Sequence, residues 1–328
     1  MQLYPVGIIG TGKYVPERVI TNHDLEQMVD TNDEWIVTRT GIKERRMAAP
    51  DQATSDLAYH ASVKALAAAG ITAEELDLII VATITPDMFF PSTACLLQDK
   101  LGAKKAAAFD LSAACSGFIY GLSTASSMIA TGMYKHVLVV GAECLSRITD
   151  YTDRNTCILF GDGAGAVVLG QVPEGRGFKA FELGADGSGG ELLNVRGGGS
   201  RMPSSEQSLA DRSHFIYMAG SEVFKFAVRI MGGAAEEALR KADMDKSEID
   251  LLVPHQANIR IIQSALNRLN LSEEKCMINL DRYGNVSAGS IPIALAEAVE
   301  QGRVKEGDRL VLVGFGGGLT WGAAVVVW

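Results

Sequence analysis

Cysteine is scarce here and poorly placed for a framework: five residues in 328, at positions 95, 115, 144, 157 and 276, with no C-x-x-C pair. That argues against a disulfide scaffold and for free thiols in a reducing cytoplasm. Histidine is equally thin, at five residues, with no H-x-x-x-H and no neighbouring cysteine, so no metal site is expected. Long apolar runs are missing; Val137 to Val140 and Leu310 to Val313 have strand length, far short of a bilayer span. Met1 is followed by no charged region and apolar core, so no export signal is expected. Positive charge is in deficit, 30 Lys and Arg against 39 Asp and Glu, a balance that excludes general nucleic-acid binding. One basic cluster stands out, Arg39, Lys43, Arg45 and Arg46, either a solvated loop or a dock for phosphate.

What is present is a globular composition, 47% apolar and 21% charged, long enough for two domains or one large layered one. The stretch AAAFDLSAACSGFIYGLSTASSMIA organises it. An apolar, strand-like run reaches Cys115, and Phe118, Leu122, Ala125 and Ile129 then recur at helical spacing. A thiol at a helix N-terminus meets the positive end of the dipole, which favours thiolate. A buried structural cysteine is the plainer alternative.

Near the start, GIIGTGKY imitates a phosphate loop. Tyr14 stands where Ser or Thr must hold magnesium, Val15 breaks G-x-G-x-x-G, and Pro16 follows, so a strand and a loop are expected. Helices are expected near 22–29, 33–39, 54–69 and 94–101, with a buried strand through Leu78. A strand at 136–140 should be followed by a hairpin-like pair that ends in residues 161–169. The chain then repeats itself: ASVKALAAAGITAEELDLII from Ala61 aligns without a gap on AAEEALRKADMDKSEIDLLV from Ala234, and Gly141 matches Gly314 at the same offset of 173. The repeat implies a duplicated, layered α/β architecture, with halves 1–172 and 173–328. Between them, residues 184–213 are rich in Gly, Ser and Asp and read as a lid or binding loop.

The halves differ in their chemistry. The second carries PHQAN after its matching strand, and NLDRYGNVSAG, read as a strand, a turn and a helix, where the first carries the Cys115 turn. Cys115, His255 and Asn285 therefore sit at strand ends beside helix starts. With the glycine turn at 314–318 to present amides, they make an acyl-transfer kit: a nucleophile, an oxyanion hole and two neutral donors.

ACSGF, HQANIR, GNVSAGSIP and GFGGGLTWG, in this order, resemble the β-ketoacyl-acyl carrier protein synthase III enzymes. The resemblance covers essentially the whole chain. It implies a thiolase-like fold, layered α-β-α-β-α, with two mixed sheets related by a pseudo-twofold axis. It implies that Cys115 accepts a short acyl group from acyl-coenzyme A, and that His255 and Asn285 assist decarboxylation of malonyl-acyl carrier protein. It implies that the Cys115 and Gly317 amides form the oxyanion hole. Thr31, Trp35, Arg39 and Arg154 correspond to coenzyme A contacts, and Gly220, Phe224, Ala257 and Asn258 to the pantetheine channel, with Phe160, Met218 and Phe315 also against substrate. Phe90 corresponds to a residue closing the partner's acyl pocket in a homodimer. Lys225, Gln256, Arg260 and Arg268 correspond to a carrier-protein dock, thinned where Asn267 replaces a basic residue of some relatives. No separate cofactor is implied. A degradative thiolase would need a second cysteine near the last glycine turn, and none is there. A serine hydrolase would need G-x-S-x-G, which is absent.

Overall fold

The alanine-rich helix Thr54–Ala69 shows how the layers begin. Asp56 accepts the Ala53 N–H at 2.8 Å at its start, and Gly70 ends it with φ of 68°. It lies so close on strand Val6–Tyr14 that a Cβ on Gly10 would stand 2.4 Å from the Ala65 carbonyl oxygen. On Gly12 it would stand 2.3 Å from that of Ala61. The glycines that imitate a phosphate loop admit a helix instead, and the strand continues through Tyr14 where a loop is expected.

The computed structural model describes residues 3–328. The first sheet runs in the order Val6–Tyr14, Asp162–Gln171, Val137–Cys144, Leu78–Ala82, Ala107–Leu111. Its first two junctions are antiparallel and its last two parallel. The second sheet repeats order and polarity: Gly177–Ala185, Thr320–Val327, Arg309–Gly316, Leu251–Pro254. Among the described residues it has no fifth strand; an isolated parallel bridge, Leu252 to Cys276, stands in that place.

Alternating residues of each sheet face different layers. Leu78 and Ile80 meet Val253, Leu312 and Ala324 through the central helices Gly117–Ala130 and Ser290–Glu300. Ile79 and Val81 face outward onto Thr54–Ala69 and Thr93–Leu101. Leu252 and Val311 face the outer pair Gly220–Lys241 and Ile259–Leu269. Five layers result, and strands covered on both sides have no polar alternation to show.

Two local expectations need correction, and a third gains detail. Residues before Asn285 form a helix, Leu280–Tyr283, rather than a strand. Strand Asp162–Gln171 does not close a hairpin of its own: it pairs antiparallel with Val137–Cys144 and Val6–Tyr14 after a connection containing helix Arg154–Cys157. Residues 184–213, read as a lid or binding loop, carry short elements of their own: Leu193–Asn194 pairs with Tyr217–Met218, and Glu206–Ala210 is helical.

Candidate active site

Cys115 lies in a one-turn 3₁₀ segment, Ala114–Ser116, that opens into helix Gly117–Ala130. Ala114 makes the sharp turn with a left-handed backbone, φ 47°. At the offset of the repeat, Ser287 does the same with φ 45°, ahead of helix Ser290–Glu300. Each turn seats on a strand of the other half. A Cβ on Gly141 would lie 2.1 Å from the Ala288 carbonyl oxygen, and one on Gly316 would lie 2.5 Å from the Cys115 nitrogen. Only glycine permits these approaches.

His255 follows strand Leu251–Pro254, its N–H donating to the Val313 carbonyl at 2.8 Å. Its buried ring meets Phe315 edge-on at 5.6 Å. The Asn285 N–H donates to Leu159 O at 2.8 Å, and its carbonyl accepts from Gly161 N–H at 3.0 Å. Its side-chain Oδ1 accepts the Ser287 N–H at 2.8 Å, so the amide NH₂ is left to donate.

These three side chains line one cavity of about 100 Å³. Phe160, Met218 and Phe315 share its wall, and Gly220, Phe224, Ala257 and Asn258 border it too. A second cavity, about 370 Å³, meets Cys115 from the other side, walled by Ile84, Leu145, Ile148 and Ile216 and bordered by Gly317. The thiol therefore stands where a narrow channel, apolar but for His255, Asn258 and Asn285, meets a wider apolar pocket.

Burial pushes the Cys115 thiol up to about 12, although the Ser287 hydroxyl works the other way. Burial thus opposes the thiolate that the helix end favours and holds the resting group toward the thiol. Burial also drives His255 down to about 3, and neither ring nitrogen has a hydrogen-bond partner. The pair rests neutral.

Trp35, Arg39 and Arg154 cluster beyond the channel. Arg39 lies 4.6 Å and Arg154 5.2 Å from the indole centre. The nearby Thr31 hydroxyl is buried without a partner. None of the four borders either cavity, but Asn258 links them to the channel: its Nδ2 donates to Arg39 O at 2.9 Å while its Oδ1 caps the Arg260 N–H. The basic cluster in the sequence disperses. Arg45 is buried and donates to Ile20 O, Asn22 Oδ1 and Ile158 O, and Arg46 pairs with Glu44. Arg39 belongs to the entrance cluster.

Two family models match the chain: 3-oxoacyl-[acyl-carrier-protein (ACP)] synthase III over residues 109–187 and the C-terminal part of the same family over 239–328. The chain is 62% identical to the β-ketoacyl-[acyl-carrier-protein] synthase III of Desulfitobacterium hafniense (strain Y51), covering 98% of both. The chain belongs to the β-ketoacyl-[acyl-carrier-protein] synthase III family. The crystal structure of 3-oxoacyl-[acyl-carrier-protein] synthase III from Aquifex aeolicus VF5 superposes with a TM-score of 0.92 at 50% identity, over 98% of this chain and 100% of that one. The priming β-ketosynthase of the R1128 polyketide biosynthetic pathway gives 0.92 at 36% identity, over 99% and 97%. The duplicated, layered thiolase-like fold expected from the synthase III motifs is borne out.

Other expected residues fall on the surface. Phe90 is 84% exposed beside exposed Phe89 and Met88, and it borders neither cavity at Cys115. Lys225 and Arg260 are exposed near the channel mouth, Arg260 5.0 Å from the Phe224 ring centre. Arg268 is tied to Glu236. Gln256 needs correction as a docking residue. It is buried, its amide donating to Pro254 O and Met277 O and accepting from the Asn279 and Leu280 N–H groups, so it shapes the turn and offers nothing to a partner.

The sequence reading misses Glu143 and Ser287. Glu143 is fully buried, accepting from the Thr85 and Thr83 hydroxyls at 2.6 and 3.2 Å and from the Ile84 N–H. A lone acid in the aliphatic run VLVVGAEC is the signal that could have found it. Among the described residues no cluster of three His, Cys, Asp or Glu is placed to hold a metal, and no helix is long and apolar enough to cross a membrane.

Proposed function

We propose that this chain condenses a short acyl group from acyl-coenzyme A with malonyl-acyl carrier protein, with loss of CO₂, to give a 3-ketoacyl-acyl carrier protein and so initiate fatty acid synthesis. The convergence of Cys115, His255 and Asn285 on one cavity, between a channel and an apolar pocket, carries this reading. Cys115 Sγ attacks the thioester carbonyl, the Cys115 and Gly317 amides hold the oxyanion, and coenzyme A leaves as the thiol. The acyl chain occupies the apolar pocket. Malonyl thioester then enters by the channel and loses CO₂. Its enolate oxygen takes hydrogen bonds from the His255 ring N–H and the Asn285 amide, both neutral donors, so no essential base is needed. The carbanion attacks the acyl-cysteine and releases the product.

The entrance cluster suits coenzyme A: indole for the adenine face, guanidinium for phosphate. The exposed Met88, Phe89 and Phe90 suit a homodimer in which Phe90 closes the partner's pocket. We read residues 1–172 and 173–328 as the two structural units and the cytoplasm as the location. Priming of polyketide assembly is the second reading, supported by the 36% neighbour, but the 62% relative favours the first.

Intact mass after incubation with a panel of acyl-coenzyme A esters tests the proposal and names the starter. The native protein gains one acyl group and Cys115→Ala none. Asn285→Ala still gains it but condenses on the order of 10²–10³ more slowly, as for loss of one oxyanion donor. Unimpaired condensation by Asn285→Ala overturns the assigned role.

A further inference from the structure

Acyl loading, on the reading above, begins from a neutral thiol beside a neutral imidazole. The thiol proton has to go somewhere before coenzyme A can leave with one. The mechanism assigns it no holder, and one buried acid near the thiol has no assigned use.

We infer that the Glu143 carboxylate receives the Cys115 thiol proton during acyl loading, through the Ser287 hydroxyl. Glu143 projects from strand Val137–Cys144, against which the Ser287 turn packs. Its Oε2 takes the Thr83 and Thr85 hydroxyls, while Oε1 has only a long 3.3 Å contact from the Ile84 N–H and so retains accepting capacity. The Ser287 hydroxyl stands within hydrogen-bonding influence of both the thiol and the carboxyl. It is nevertheless buried with no well-formed bond to either, and it lines the acyl cavity with Cys115. A buried hydroxyl without a settled partner is costly unless it changes partner in use.

The step balances without a further reagent. As the sulfur lone pair forms the C–S bond, the thiol proton moves to Ser287 Oγ and the serine's own proton moves to Glu143. The coenzyme A C–S bond breaks, and its thiolate takes one proton back along the same path, restoring the carboxylate. Ser287 lines the cavity that holds the reacting sulfur, and Glu143 acts through it.

Burial raises Glu143 to about 7, with the hydrogen bonds from Thr85, Ile84, Ser287 and Thr83 opposing, so it exchanges a proton near neutrality. The titratable groups around it are Cys115 on the facing turn, Cys144 next on its own strand and Asp162 opposite Cys144 on the adjoining strand. Both thiols are pushed up to about 12, and Asp162 is raised while accepting from Ala48 and Ser146. His255, driven to about 3, is not the source of a neutral inflection.

The test follows iodoacetamide alkylation of the Cys115 peptide, and acetyl transfer from acetyl-coenzyme A, across neutral pH. The native protein speeds up as pH rises through about 7 and then levels. Glu143→Gln loses that inflection and reacts on the order of 10²-fold more slowly above it. Ser287→Ala behaves alike, and its backbone is tolerable because Ala114 adopts the same left-handed turn. An inflection that survives in Ser287→Ala, or is missing from the native protein, overturns the relay. Should Glu143→Gln fail to fold by circular dichroism, Ser287→Ala and the native profile decide. Alkylation needs no acyl substrate, so a normal alkylation profile without acetyl transfer counts against the proposed function and leaves the relay standing.

Discussion

Laid over one another at the repeat offset, the two halves agree in backbone and disagree in chemistry. Ala114 and Ser287 make the same left-handed turn, and helices Gly117–Ala130 and Ser290–Glu300 start at matching points. Yet Cys115 matches Ala288, His255 matches Ala82, and Glu143 matches Gly316. The strand positions under the turns are thus used oppositely. In the second half the glycine clears a path for the Cys115 backbone; in the first a carboxylate faces the Ser287 hydroxyl. Duplication supplies two crossed seats, and the substitutions in them create a reaction centre that neither copy has alone.

The crossed seating can be broken directly. Gly141→Ala sets a methyl against the Ala288 carbonyl and should cost about 1–3 kcal/mol by denaturant titration. Its mate, Gly314→Ala, should lose less, because its nearest neighbour at 3.1 Å is the end of the Ile291 side chain, which can give way. Equal losses would mean the halves do not seat differently. A smaller effect separates a position used only in the second half. Asn258→Ala removes a helix cap worth about 1 kcal/mol. It also frees the Arg39 carbonyl, so the KM for acyl-coenzyme A should rise while condensation from preloaded enzyme holds. The smallest contrast lies on the outer face. Arg260→Glu should raise the KM for malonyl-acyl carrier protein and flatten its salt dependence. Arg268→Glu should do so less, since Glu236 already engages that guanidinium.

The sequence displays what the backbone needs better than what the cavity does. The Ala61 and Ala234 segments betray the duplication because the same helix must lie on the same strand in both halves. The Cys115, His255 and Asn285 motifs are legible because small residues and turn formers crowd around them. Three features stay hidden for physical reasons. The segment at Leu280–Tyr283 copies a strand's position in the repeat but lacks the apolar run of Ala107–Leu111, and forms a helix. Gln256 looks like a surface amide until the turn around it shows four backbone groups needing partners. The thiol's protonation depends on desolvation by residues from both halves, which local spacing does not express.

The crossed seats also bear on how the molecule assembles. Cys115 and its Gly316 neighbour are about two hundred positions apart in the chain, as Gly141 and Ala288 are about one hundred and fifty. Contacts of such long range are slow to close, because the loop entropy comes before the contact that rewards it. Each half can complete most of its own sheet first, with its turn unsupported and Cys115 open to water. The chemistry therefore arrives with the docking of the halves. Until then Cys115 is an ordinary thiol, and its protection from a thiol reagent during refolding is a clock for that last closure.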